Sequence, residues 1–105
     1  MHGVYVLGSL RDGDLYIGYS SQVRERFEAH MSGRVRATRL RRPLMLLYCE
    51  LHRSRKDAMH RETYLKSGWG RKYLERIMPE ALATFRSKIL AGVRVSKLTS
   101  LAKNL

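Results

Sequence analysis

The stretch Gly3-Val4-Tyr5-Val6-Leu7-Gly8-Ser9-Leu10-Arg11-Asp12-Gly13-Asp14-Leu15-Tyr16-Ile17-Gly18 decides the fold of this chain. Val4 to Ser9 is rich in β-branched and aromatic residues and reads as a strand. Arg11-Asp12-Gly13-Asp14 reads as a hairpin turn, and Leu15 to Tyr19 as the return strand. Side chains alternate along a strand with period two. Pairing Leu10 with Leu15 therefore puts Tyr5, Leu7 and Ser9 on one face with Tyr16 and Gly18. In that register Tyr5 lies opposite Ser20, four residues along from Tyr16, a separation of roughly 13 Å. Only strand twist and the length of two phenols would bring their hydroxyls together.

Beyond the hairpin, Ser20 or Ser21 is placed to cap a helix that runs to about Met31, where Ser32-Gly33 stops it. Val23, Phe27 and Met31 recur every four residues and form its expected core stripe. Arg26 and His30 share that spacing on a neighbouring stripe. They either approach one object together or form the solvent side of the helix. Pro43 then introduces Leu44 to Glu50, whose length and apolarity fit a buried third strand carrying Cys49 as a small buried thiol. Ser54-Arg55-Lys56-Asp57 resembles a capping box for a helix reaching about Lys66. In this helix Ala58, Glu62 and Leu65 fall at i, i+4 and i+7, so a carboxylate occupies the apolar stripe. An inward carboxylate must be paired, protonated or metal-bound, the plainest partner being Arg26 or another interior arginine. Gly68-Trp69-Gly70 is expected to break the helix, Arg71 to Met78 to form another, and Pro79-Glu80 to start one ending near Gly92. Trp69 is expected to pack between helices, with base stacking as the alternative. His52 and His60 read as surface residues.

Length allows one domain with a modest core, divided here into residues 1–78 and a C-terminal helix and basic tail over 79–105 that extends it. The fold class is α+β, in the order β-β-α-β-α-α with an extra C-terminal helix or tail. Charge is the strongest compositional signal: 21 Lys+Arg against 9 Asp+Glu give +12, which points to a polyanionic partner. Arg34, Arg36, Arg39, Arg41 and Arg42 crowd a stretch without helical periodicity, which favours nucleic acid over an amphipathic membrane-surface helix. Residues 81–105 add five Lys+Arg and no acid. No apolar run approaches the roughly 20 residues of a membrane helix and no signal-peptide pattern precedes the first strand, so a cytoplasmic protein is expected. With a single cysteine, neither an internal disulfide nor a Cys-rich zinc site is available.

The Gly3-Val4-Tyr5 and Tyr16-Ile17-Gly18 motifs, followed by Arg26, His30 and Glu62, resemble the core of a GIY-YIG nuclease. The likeness spans about residues 2 to 75 and is nearest to the short, stand-alone bacterial-type branch. Ser32-Gly33, Thr38, Arg41-Arg42-Pro43, Tyr48, Glu50, Arg61-Glu62, Leu65-Lys66 and Gly70-Arg71 follow the spacing of that branch. The resemblance implies a three-stranded antiparallel sheet flanked by helices, one active site, a divalent metal and cleavage of DNA. It assigns Tyr5 and Tyr16 as the motif tyrosines, Arg26 as the catalytic arginine, His30 as the helix histidine and Glu62 as the ligand of Mg²⁺ or Mn²⁺. The chemistry is coherent: Arg26 would clamp the phosphate, His30 orient or deprotonate a tyrosine, Tyr5 act as general base, and Tyr16 position water or phosphate. Gly18 would allow a close backbone approach. Lys66, Arg71 and Lys72 would join the loop arginines in binding nucleic acid.

Two departures qualify the likeness. Valine replaces isoleucine in the first motif, a conservative β-branched swap, and no asparagine follows the glutamate helix at a matching position, Asn104 lying too far along, so one catalytic helper is either absent or supplied by Lys66 or Arg71. No recognition domain is appended, which suits weak sequence preference, structure-selective cutting or action on single strands. The rival class is a noncatalytic DNA- or RNA-binding module on the same scaffold. It accounts for the charge but not for the inward Glu62.

Overall fold

A computed structural model describes residues 1–103, of which 93–103 are described as backbone only. Strand β1 (His2–Ser9) and strand β2 (Leu15–Ser20) form the expected hairpin. Helix α1 (Val23–Met31) follows, then a single 3-10 turn at Arg39–Arg41 and strand β3 (Leu44–His52). Three helices complete the chain: α2 (Arg55–Lys66), α3 (Gly68–Ile77) and α4 (Pro79–Lys103). The sheet is antiparallel in the order β2-β1-β3. This is the α+β architecture the sequence predicts.

β1 is central because its residues are apolar or small on both faces: Gly3 through Ser9 are all buried. Val4 and Val6 join Ile17, Leu47, Ala58, Leu65, Leu74, Met78, Leu82 and Phe85 in the main core, under α2 to α4. Tyr5 and Leu7 pack on Leu44, Tyr16 and Phe27 in a smaller cluster. Each fully buried Val or Leu contributes roughly 1.5–3 kcal/mol, so the main core carries the stability. Leu82 and Phe85 bring the start of α4 into that core.

Several sequence expectations are corrected. Gly8, not Leu10, pairs with Leu15, so Tyr5 faces Gly18 and Leu7 faces Tyr16. The cause is Ser9, whose amide donates to Asp14 O and whose hydroxyl accepts from the Arg11 and Asp12 amides, closing a wider loop. The two tyrosines keep the same face but stand two residues apart along the hairpin, roughly 7 Å instead of 13 Å. The α1 cap is Gln22 without a side-chain bond; Ser20 Oγ accepts from the Gln22 amide instead. Met31 is exposed, and the buried residue of α1 is His30. Cys49 is exposed, since β3 is an edge strand with one face to solvent.

At the α2–α3 corner, Ser67 caps both helices: its hydroxyl donates to Tyr64 O at 2.5 Å and accepts from the Gly70 amide at 3.1 Å. Helix α3 therefore begins at Gly68 rather than Arg71, and Trp69 turns outward, 73% exposed, instead of packing between helices. Helix α4 continues past Gly92 to Lys103. Ser54 caps α2 as expected, accepting from the Asp57 amide. His60 is exposed, whereas His52 is half-buried against Glu50. No helix among the described residues is long and apolar enough to cross a membrane.

Candidate active site

The hairpin register and the inward turn of His30 build the site. The Tyr5 hydroxyl lies 2.8 Å from His30 Nε2, and His30 Nδ1 lies 2.7 Å from Thr38 Oγ1. The Tyr16 ring meets the imidazole edge-on, with centroids 5.2 Å apart. Tyr5 is 3% exposed and His30 and Thr38 are sealed from solvent, so this chain of three polar groups is fully internal. Buried polar groups require partners, and here each one has them. Thr38 was legible in the sequence only as part of a family spacing. Its role as the partner of His30 comes from the loop folding back beneath α1.

Electrostatics set the protonation states. Burial lowers the His30 imidazole to about 4, and the Arg26 guanidinium pushes the same way, so His30 is neutral at pH 7. Burial also raises the Tyr5 phenol above its ordinary value; Arg26 opposes this, while Tyr16 and Glu62 add to it. Tyr5 is therefore protonated in the ligand-free protein, and cationic charge must gather before it ionises. A neutral imidazole of such low basicity is a poor proton sink but a good fixed donor. The two contacts allow two arrangements: Thr38 donates to Nδ1 and Nε2–H donates to the Tyr5 oxygen, or the Tyr5 hydroxyl donates to Nε2 and Nδ1–H donates to Thr38.

Gly18 faces Tyr5 across the hairpin, and the phenol lies over it so closely that any Cβ there would strike the ring and hydroxyl. The close approach expected at Gly18 is thus to a side chain. Arg26 is exposed on α1, available to a phosphate while acting on Tyr5. The Glu62 side chain is 16% exposed and pairs with Lys66 Nζ at 3.4 Å, rather than with Arg26 or another arginine. The structure thus brings Tyr5, Tyr16, Arg26, His30 and Glu62 into one electrostatic neighbourhood.

No group of three or more His, Cys, Asp or Glu side chains able to hold a metal occurs among the described residues. A closed zinc or calcium cage is therefore not built here. A lone, largely buried carboxylate does fit Mg²⁺ or Mn²⁺, since magnesium retains several waters and commonly binds one or two carboxylates with substrate phosphate.

The basic residues divide into free and engaged. Arg34, Arg36, Arg39 and Arg42 are exposed, Arg42 donating to Arg39 O at 3.1 Å. Arg41 is tied to Asp12 at 2.6 Å and holds that carboxyl down at about 2, so it braces the β1–β2 turn. Lys66 sits on Glu62, Lys72 lies over the Trp69 ring at 5.3 Å, and Arg71 is exposed. Behind the site, Glu50 accepts from Arg61 Nε at 2.6 Å and from the Tyr48 hydroxyl at 2.7 Å, and contacts His52. Burial raises this carboxyl, yet the three bonds together hold it below its ordinary value. The Arg61–Glu50 pair fixes α2 to β3, and with it the neighbouring Glu62.

The GIY-YIG catalytic domain model matches residues 1–74. A UPF0213 protein of Bacillus licheniformis is 40% identical over 80 residues, covering 75% of this chain and 80% of that protein. A UPF0213 protein of Bacillus pumilus is 39% identical over 88 residues, and one of Staphylococcus aureus 36% over 77, covering 88% and 93% of those proteins. No solved structure matches significantly. With its paired tyrosine strands, its α1 arginine and histidine and its inward glutamate on one small α+β scaffold, the chain belongs to the GIY-YIG catalytic domain family, alongside small bacterial UPF0213 proteins.

Proposed function

We propose that this protein is a metal-dependent endonuclease that hydrolyses DNA phosphodiester bonds with little sequence preference. The observation that carries the reading is the internal Tyr5–His30–Thr38 chain, set within reach of the Arg26 and Glu62 charges. Unlike the Tyr48–Glu50–Arg61 cluster, which is closed on itself, this chain leaves an exposed guanidinium, Arg26, acting on its phenol. Membership of a nuclease-type family supports it independently.

Glu62 is the residue that would hold Mg²⁺ or Mn²⁺, and the bound ion would supply charge to neutralise the phosphoryl and departing 3′ oxygens. The remaining work belongs to the chain. Arg26 clamps a non-bridging phosphate oxygen with a fork of donors whose charge does not titrate. In the tautomer in which Thr38 donates to Nδ1, His30 donates its Nε2–H to the Tyr5 oxygen, so the phenolate that must form before water attack is stabilised by a dipole already in place. Tyr5, once gathered positive charge has let its own proton pass to solvent, accepts the proton of the attacking water and returns to the phenol, while the departing 3′ oxygen takes a proton from solvent. Tyr16, half-exposed in front of His30, orients that water or the phosphate. Arg34, Arg36, Arg39 and Arg71 hold the flanking backbone without reading bases, the source of weak sequence preference.

The test is cleavage of end-labelled single-stranded, duplex and branched DNA, with matched RNA, in Mg²⁺, Mn²⁺ or EDTA. Products that require the metal and vanish in Glu62→Ala, with DNA binding retained, are expected. Undiminished cleavage by Glu62→Ala would overturn the site. Binding without cleavage in every condition would favour the noncatalytic module.

A further inference from the structure

Helix α3 carries two stripes. Gly70, Leu74 and Ile77 pack inward, while Trp69, Lys72, Tyr73 and Arg76, at i, i+3, i+4 and i+7, line up on another side, Tyr73 half-buried with one edge on the core. The second stripe has the spacing of a core stripe and the chemistry of a surface one. Trp69 is the most exposed aromatic side chain among the described residues and Lys72 lies over its ring at 5.3 Å. Tyr64 of α2 meets Tyr73 edge-on at 5.9 Å, and the Arg61 guanidinium stands over the Tyr73 ring at 4.5 Å. A recess of about 230 Å³ opens between Tyr64, Trp69, Lys72, Tyr73 and Arg76. That is below the roughly 300 Å³ at which drug-sized pockets begin, and suits one planar ring seated from the side.

This surface is not a failure of packing. Arg61 is itself locked by Glu50, so Tyr73 rests on a fixed cation, and the Ser67 double cap sets where Trp69 emerges. An indole held open to water, with Lys72 over it and Arg76 over the neighbouring Tyr73 ring at 5.6 Å, on a chain of net charge +12, is matched to a planar ring joined to an anion. A nucleotide is that combination. Both faces of a base inside a duplex are covered by its neighbours, so along a strand only an unpaired base can lie on the indole, a duplex offering at most its two end pairs.

We infer that the Trp69 face of α3 is a stacking platform for an unpaired base of a single-stranded nucleic acid, with Lys72 and Arg76 on the adjoining phosphates. The inference rests on the reading of nucleic acid as the partner and narrows its class: the chain engages single strands or frayed and branched ends in preference to intact duplex.

Trp69 is the only tryptophan, so its emission reports this contact alone. The experiment titrates the full chain, in EDTA and low salt, with oligothymidylate, oligouridylate and a blunt-ended duplex, reading tryptophan emission together with the anisotropy of labelled oligonucleotide. Saturating quenching by single strands and little by duplex is expected, the two single-stranded arms separating DNA from RNA. Trp69→Ala should weaken single-strand binding by about 5- to 150-fold, with Trp69→Phe retaining most of it. Lys72→Ala should lower the salt slope by about 0.7. Because Trp69 is largely solvent-exposed, its variants should keep the wild-type denaturation midpoint. Unchanged emission at saturating single strand, or wild-type affinity in Trp69→Ala, would overturn the platform. Quenching by a protein that cuts nothing in Mg²⁺ leaves the platform standing and removes the nuclease reading; cleavage without quenching does the reverse.

Discussion

Replacing Gly18 by alanine tests the core of the site with one methyl group. A Cβ at position 18 would lie 2.5 Å from Tyr5 Cζ and 2.8 Å from Cε2, and against the hydroxyl, where ordinary contact begins near 3.4 Å. The ring must therefore move by about 1 Å or the hairpin must part. Tyr5 is 3% exposed and wedged against His30, so it has little free volume to enter. A shift of that size stretches the 2.8 Å bond to His30 beyond hydrogen-bonding range. Overpacking of this kind costs about 1–3 kcal/mol, and a 1 Å misplacement of a reacting group costs on the order of 10²-fold in rate. Gly68→Ala is the control: nothing lies within 4 Å of a Cβ there, and on a helix the substitution should stabilise by about 0.4–1 kcal/mol. Urea denaturation and metal-dependent DNA cleavage measured on both variants are the assay. A Gly18→Ala protein with wild-type midpoint and rate would refute the packing of Tyr5 over Gly18 as the device that places the phenol.

Thr38→Val keeps the volume but leaves buried His30 Nδ1 without a partner, which should cost about 1–3 kcal/mol and slow cleavage, while Thr38→Ser restores both; equal rates for the two variants would exclude a positioning role. His30 has a folded-state pKa of about 4 against an unfolded value near 6.5, so the unfolded chain binds the extra proton first as pH falls. Its contribution is complete above about pH 6.5 and lost towards pH 4, on the order of 3 kcal/mol in all; a pH–stability slope in that window as steep in His30→Gln as in wild type would count against it. Alanine at Arg34, Arg36 and Arg39 should lower the salt slope of duplex binding by about 0.9 per lost phosphate contact, whereas Arg41→Ala should leave the slope alone and shift stability by less than about 1 kcal/mol through its Asp12 pair, both read from titrations at several salt concentrations.

The hairpin, the three strands and the order of elements were legible because they rest on local pattern: β-branched runs, an Asp-Gly turn, helical spacing. The shared face of Tyr5 and Tyr16 followed from parity alone and survived a change of register. The register itself did not, because Ser9 closes the loop through bonds that no propensity encodes, including one from its hydroxyl to Arg41 O, 32 residues away. Periodicity chose Met31 over His30 for the core of α1 because it scores hydrophobicity. It has no way to know that Tyr5 and Thr38 wait inside to satisfy an imidazole. Glu62 was recognisable as inward from its place between Ala58 and Leu65, but its Lys66 partner was not. Trp69 was misplaced for a similar reason: two flanking glycines suggest a break, whereas Ser67 starts α3 at once and swings the indole out.

The central position of β1 has a consequence for which parts of the molecule can open independently. Tyr5 sits mid-strand, with its backbone paired to Gly18 on one side and Cys49 on the other. Amides there exchange with solvent only when the sheet itself comes apart, near the global unfolding free energy, and the segment after α1 is tied to the same unit through buried Val35 and Thr38, leaving only its arginine side chains exposed. The phenol is thus anchored to a unit that opens only with the sheet, and the exposed arginine side chains can reorient only while their backbone stays in place, because opening that segment would also withdraw Thr38 from His30.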